Sequence, residues 1–548
     1  MKRREFLKTL SATGMAVCSP MVLSNRAYAE AVPVNRYFVF LHLGGGWDPT
    51  SLCDPKGNIL RRDIDPEARE GGSPVNRYCE ASIRRAVDVS LDSGIDSQMR
   101  YAPYLGTFNA DDIDTADEST ANTGLSINMI QRVLAGSIAD RVLNADTTAG
   151  AGFSWSQAKE NSAAIILSNA EAILEGTVDT VDFGSLIDDN PLLFNGLARN
   201  GTTMNADRFV FDAFYCLYSG RARILNGIDN RTNGHDTGTR FADTGSMDRA
   251  YPDFSALYAA VKGAEMPLAF ITDGRGNNET AGLVARSSAN DVGVFNAIAD
   301  PEGNYLQNGL ASLIGQAKDQ RRELLAEKET LPSRVRLRSQ LYMVRDEGVA
   351  FSGVAAELAT PAADTPQRAL DDRARNNRQR QMRIGAAAMD AGMASSMQIG
   401  FGGFDTHNDH DNRHFFRIRD VLVDLHYLWQ ALDVYNIEDK TTVILGSDFG
   451  RTPWFNGGMG KDHWAVTSYV LLGRDVVGGT VVNATDALVG PQNVQVSAGQ
   501  IVPASSNSGG IRMTPAHLHK KLREAGNIQN HEFSLRFPIE AEDLPILG

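Results

Sequence analysis

The chain has 548 residues, of which 42% are hydrophobic, enough for a substantial core in one large domain or in several. Its formal charge of -14 sets aside nucleic acid and anionic membrane as partners, because both require a cationic footprint. The one Arg-rich run, "DDRARNNRQRQMRIG" at 371–385, reads as a solvated helix face.

At the N-terminus, "KRREFLK" precedes the apolar stretch "TLSATGMAVCSPMVL" and then "AYA" at Ala27 to Ala29. A charged segment, an apolar one too short to span a bilayer, and an A-x-A site together predict an export signal over residues 1–29. The Arg3-Arg4 pair followed by Glu5-Phe6-Leu7-Lys8 resembles the twin-arginine signal, which implies a periplasmic protein that starts near Glu30. Cys53, Cys79 and Cys216 then remain; they allow one disulfide at most, and none has CxxC spacing. No later segment is long and apolar enough for a transmembrane helix.

In chain order, "RYFVFLHLGGGWD" is a buried-strand pattern that ends in glycines and delivers Asp48. Ser90 to about Gly124 reads as loop, and helical patterns follow in "SINMIQRVLAGSIADRVL" and "QAKENSAAIILSNAEAIL". "RARILNGID" and "MPLAFITD" read as strands, and long polar helices are expected over much of 308–393. "SSMQIGF", "KTTVILGSDFG" and "TSYVLLG" are further short strands. Between the first two of these, Phe415, Ile418, Leu422, Leu425, Trp429 and Leu432 recur at steps of three and four, as a helix packed on a sheet requires. Near the end, Thr514 is a helix N-cap, Pro515 the first helical position and Gly526 the stop. Strands separated by helices predict one α/β domain over 30–548, with a mostly parallel sheet covered on both faces and a helical insertion at about 90–222.

In such sheets, ligands bind beyond the carboxyl ends of the strands. Asp48, "NGHDTG" with His235, Asp405 with His407, Asp448 and "GKDHW" with His463 all fall there. The run "GFGGFDTHNDHDNRH" alone holds three of the chain's ten histidines, whereas a turn needs only its glycines and Asn or Asp. Carboxylates with imidazoles suit a divalent cation such as Zn, Mn or Ca. Each residue also has a plainer reading. Asp48 is a good helix cap, and His235 an ordinary loop histidine. Arg451 is either a capping arginine or an anion binder beside the metal. Asn456 and Asp462 are turn residues or supports for the ligands. His42 reads as a hydrogen-bonded core histidine, and His414, His426, His517 and His519 as surface or packing residues.

"GFDTH" at 403–407, "SDFGRTPWFNGGMGKDHW" at 447–464 and "VLLGRDVVGG" at 470–479 resemble the family listed as domain of unknown function 1501. The likeness extends more weakly to "GGGWD" and to "NGHDTGTRFADTG". The resemblance implies twin-arginine export and an alkaline-phosphatase-like or sulfatase-like fold. It also implies two ligand sets: Asp48 with Asp448, and Asp405 with His407 and His463, His410 being the alternative to His407. Phosphatases of this kind commonly follow the late Asp with a histidine, where Phe449 stands here. Their nucleophile, a Ser, Thr or Cys ahead of a "TG", falls on His235, with Thr237 serving if the register slips by two. Otherwise water is the nucleophile.

Two functions follow as expectations. One is a periplasmic metal-dependent hydrolase acting on a small anionic phosphate or sulfate ester, with His235, Thr237 and Arg451 as catalytic candidates. The other is a catalytically silent metal-binding protein used for assembly or partner binding. The resemblance further implies a second exported protein as partner.

Overall fold

The structure, a computed structural model, describes residues 35–54, 155–184, 200–288, 310–328 and 358–548, without residues 219, 265, 267, 359, 409, 453–455, 457–459, 484, 486–488 and 505–508. The export signal, Cys79, the loop from Ser90 and the helix expected from Ser126 lie outside the described residues.

Among the described residues, eight strands form the main sheet: β1 (Tyr37–Leu43), β2 (Ala222–Asp229), β3 (Phe270–Thr272), β4 (Arg286–Ser287), β5 (Ser396–Phe401), β6 (Thr441–Ser447), β7 (Val466–Gly473) and β8 (Thr480–Val482). Their order is β8-β2-β7-β6-β1-β5-β3-β4. β1 lies between β5 and β6, parallel to both, and is buried at all seven positions, as a central strand covered on both faces must be.

β7 departs from the expected parallel pattern. It runs antiparallel to both β2 and β6. The connection from β6 forms a small antiparallel ladder, Gly450–Arg451 against His463–Trp464, and shows no crossover helix among its described residues. A chain that turns back without a crossover re-enters the sheet from the edge it left, which makes the next strand antiparallel.

Alternation along β1 sorts the two helical layers. Tyr37, Val39, Leu41 and Leu43 join a core with α1 (Trp155–Glu175), α2 (Val210–Tyr218), α5 (Asn377–Asp390) and α6 (His410–Val434). Phe38 and Phe40 join a second core with α3 (His235–Thr244), α4 (Phe254–Lys262) and α7 (Pro515–Ala525). The molecule is therefore an α/β protein with helices on both faces of a mixed, mostly parallel sheet. On α6, Leu422, Leu425 and Leu432 are fully buried, worth about 1.5–3 kcal/mol each relative to exposure. Of the span expected as an insertion, α1 and α2 pack into the same core as β1.

The Arg-rich run is less solvated than its composition suggests. Asp424 of α6 accepts hydrogen bonds from Asn376, Arg378 and Gln379, and Arg383 is fully buried with its guanidinium paired to Asp371 at 2.7 Å. A polar helix can pack when each buried charge meets a partner. At α7, the Thr514 cap is closed by His517, whose Nδ1 receives the Thr514 backbone N–H. Cys53 and Cys216 are buried and free.

Candidate metal centre

β1, β2, β5 and β6 end on one edge of the sheet, and β7 begins there. The topology thus gathers the segments 44–48, 230–235, 402–407, Asp448 and 460–464, which are distant in sequence. This is the edge at which open α/β sheets bind ligands.

Three ligand-type atoms, one each from His235, Asp405 and His463, lie within 4.8 Å of one another. His463 Nε2 is 3.2 Å from Asp405 Oδ1, and His235 Nε2 is 3.8 Å from Asp405 Oδ2. His407 joins them, with Nε2 at 3.0 Å from both Asp405 Oδ1 and His463 Nε2. Metal bonds of about 2.0–2.1 Å in a tetrahedron place donors roughly 3.3 Å apart, so these separations fit one small cation. The side chains of Asp405, His407 and His235 are 47%, 46% and 41% exposed, so the cluster is open to solvent.

The other ring nitrogen of each histidine is anchored. His235 Nδ1 donates to Asp448 at 2.7 Å, His407 Nδ1 to Asp462 at 2.9 Å, and His463 Nδ1 to the Asn233 carbonyl at 2.8 Å. A carboxylate or carbonyl at Nδ1 fixes the proton there and leaves the Nε2 lone pair free, and all three Nε2 atoms face Asp405. Metal-binding histidines carry this outer support almost without exception. Asn456 donates to both Asp462 Oδ1 and the His407 carbonyl, holding that support in turn.

Asp448 is itself held in a cradle. The N–H groups of Gly45 and Gly46 donate to Oδ1 at 3.1 and 2.7 Å, and the Ser447 hydroxyl lies 2.9 Å from it, its proton shared with the Leu43 carbonyl at 2.6 Å. Both glycines have positive φ (116° and 82°), and a Cβ would press into the Asp405 backbone at Gly45 or the Phe449 ring at Gly46. The glycine run is therefore a carboxylate holder. Burial alone would raise the Asp448 pKa, but the hydrogen bond from His235 and the charge of His42 bring it below the usual range. The same bond raises His235 above an ordinary histidine. Asp405 is lowered to about 2: burial opposes the shift, and the hydrogen bond and charge of Arg451 overcome it.

The family described as "Protein of unknown function (DUF1501)" matches residues 224–501, just over half of the chain. The chain belongs to this family. No curated protein matches the sequence. The matched span contains all four cluster residues, together with Asp448, Asp462 and Arg451, while Asp48 and the glycine cradle precede it.

Within this family member, the expected residues divide. Asp405, His407, His463 and His235 come together. Asp448 lies behind His235 and supports it. Asp48 and His410 are not brought to the cluster. Asp48 caps the turn Pro49–Ser51 through the Thr50 N–H and pairs with Lys461 at 2.6 Å, and His410 turns inward to Asp48 at 3.2 Å. The proposed Asp48–Asp448 pair is thus divided, because both Asp48 oxygens are taken up by Thr50, Lys461 and His410.

Arg451 turns inward. Its side chain is fully buried and donates to the carbonyls of Gly45, Gly46 and Lys461 and to Asp405 Oδ1 at 2.6 Å. Those bonds lock it as a brace for Asp405. Thr237 stands half-buried in the first turn of α3 with no hydrogen bond to the cluster among the described residues. His42 is a buried partner of Asp243 at 2.8 Å. His414, His426, His517 and His519 are all buried.

Sequence reasoning missed Lys461 and the Asp448 cradle. Lysine in a glycine-flanked loop gives no sign that it turns inward, whereas three consecutive glycines after a buried strand do suggest a close backbone approach. A separate cavity of about 1040 Å³, lined by Asp273, Arg275, Arg378, Arg419 and Asp424 among others, includes none of the cluster residues.

Proposed function

We propose that this chain is a periplasmic, metal-dependent ester hydrolase of the alkaline-phosphatase-like superfamily, taking small phosphate or sulfate esters. The observation that carries the metal reading is the set of three histidines with Nδ1 anchored and Nε2 facing Asp405. His235, Asp405 and His463 would hold a divalent ion such as Zn, Mn or Ca, with His407 completing the set. A bound divalent ion supplies Lewis acidity for ester hydrolysis by water. The protein's own part is positional: Asp448 and Asp462 fix the rings, Arg451 fixes Asp405, and the sheet edge presents them to solvent. With a histidine where related enzymes carry a hydroxyl, water is the nucleophile in this reading. The periplasmic assignment rests on Arg3-Arg4 and the Ala27–Ala29 site.

A second reading has a specific observation in its favour. Arg451 and Lys461, the arginine and lysine of the 448–464 segment, are buried and bonded to protein groups, which leaves neither to bind an anionic ester. That favours a silent metal-binding protein that engages an exported partner.

The test is hydrolysis of p-nitrophenyl phosphate and sulfate by the metal-loaded protein. The hydrolase reading expects turnover that His235→Ala abolishes and Thr237→Ala leaves nearly intact. Inert esters with metal bound would leave the silent reading standing, and a reversed pattern between the two variants would restore Thr237 as nucleophile.

A further inference from the structure

Next to the open cluster lies a second group of ligand-type side chains, Asp48, His410 and His414, all fully buried. The two groups share segments. Thr406, between Asp405 and His407, is hydrogen-bonded through its hydroxyl to His410 Nδ1 at 2.7 Å, and its carbonyl accepts the Lys461 N–H at 3.1 Å. Lys461 in turn stands two residues before His463 and gives its carbonyl to Arg451.

By residue type, Asp48 and His410 suit a cation as well as Asp405 and His463 do. Their valences are filled. Asp48 Oδ1 receives the Thr50 N–H at 3.0 Å and the Thr50 hydroxyl at 2.6 Å, while Oδ2 faces Lys461 Nζ at 2.6 Å and His410 Nε2 at 3.2 Å. Two contacts on each oxygen saturate a carboxylate. The ammonium, fully buried on the carboxylate, stands where a metal ion would otherwise balance the charge.

We propose that Lys461 is a built-in cation that closes the Asp48–His410 group, so that this edge of the sheet takes one metal ion and not two. The proposal deepens the metal-centre reading above and rests on it. Burial alone would raise the Asp48 pKa, and Lys461 with His410 and His414 hold it far below the carboxylate range instead. A compact cation on a full carboxylate excludes a second one by repulsion as well as by occupancy.

The experiment is metal stoichiometry by elemental analysis after saturation with Zn and removal of excess by gel filtration. The wild-type chain should retain one ion. Asp48→Asn should also retain one, with unchanged affinity, because Asp48 is not a ligand. Lys461→Ala, which uncovers Asp48 Oδ2 and His410 Nε2, should retain two and gain thermal stability from the second. Two ions in the wild type would overturn the proposal while leaving the metal-centre reading intact, and so would a folded Asp48→Asn variant that loses its ion. No ion in the wild type would remove the metal-centre reading and this proposal with it. Should Lys461→Ala fail to fold, the wild-type and Asp48→Asn counts still decide.

Discussion

Asp448→Asn changes one atom in a buried side chain, yet the cradle around it predicts a specific failure. Oδ1 faces two backbone N–H groups and a hydroxyl, while Oδ2 faces His235 Nδ1 at 2.7 Å and a share of the Gly45 N–H at 3.2 Å. Asparagine has one acceptor oxygen, and two fixed N–H donors demand it. The amide NH₂ must then point at His235 Nδ1, which can only accept by moving its proton to Nε2. That tautomer has no Nε2 lone pair for a metal. Loss of an outer support of this kind lowers metal affinity by about 10–100-fold, or about 1.4–2.7 kcal/mol. The assay is Zn binding in competition with a chromophoric chelator, with thermal unfolding as a check on the fold. In a double-mutant cycle, Asp448→Asn should add almost nothing on top of His235→Ala, since the two act through one bond. Wild-type affinity in Asp448→Asn, or additive losses in the double variant, would refute the reasoning.

Three further outcomes follow from the same contacts. Asp462→Asn should weaken metal binding by less than about 10-fold by the same titration, because Asp462 is half exposed and a rotated amide can still accept from His407. Arg451→Lys should destabilise the fold by about 3–5 kcal/mol in urea unfolding, since an ammonium cannot reproduce a planar fork that bonds three carbonyls and Asp405 at once. His42 supplies a pH signature. Burial would lower its pKa, but Asp243, with Asp448 and Asp253, raises it to about 9 from 6.5. A folded pKa above the unfolded one means that the contribution, about 3 kcal/mol, is complete below about pH 6.5 and lost as pH rises through about 9. His42→Gln should flatten the stability profile between those limits, and an unchanged slope would remove His42 from the account.

The strands and the long helix were legible in the sequence because their patterns are physical. β1 is an uninterrupted apolar run and is buried throughout, and the 3–4 spacing from Ile418 to Leu432 marks the buried face of α6. The direction of β7 was not legible, since direction depends on where the connection re-enters and no residue of "TSYVLLG" encodes it. The same holds for the site. Asp405, His407 and His463 stood out as a set, yet whether Asp48 joins them depends on Lys461 folding inward, a contact between residues hundreds of positions apart. His235 was singled out by its interval from Thr244-Gly245, and the structure puts it beside Asp405 through the start of α3. Arg451 looked like an anion binder because the type suits phosphate, and the ladder Gly450–Arg451 with His463–Trp464 turns it indoors.

The central claim is that His235, Asp405 and His463 share one cation. Anomalous diffraction from crystals of the protein grown with Zn, recorded on both sides of the zinc edge, tests it directly. The account predicts one strong peak about 2.0–2.2 Å from His235 Nε2, His463 Nε2 and an Asp405 oxygen. A fully Zn-treated crystal with no peak between those three residues, or with its peak on Asp48 and His410 instead, would contradict it.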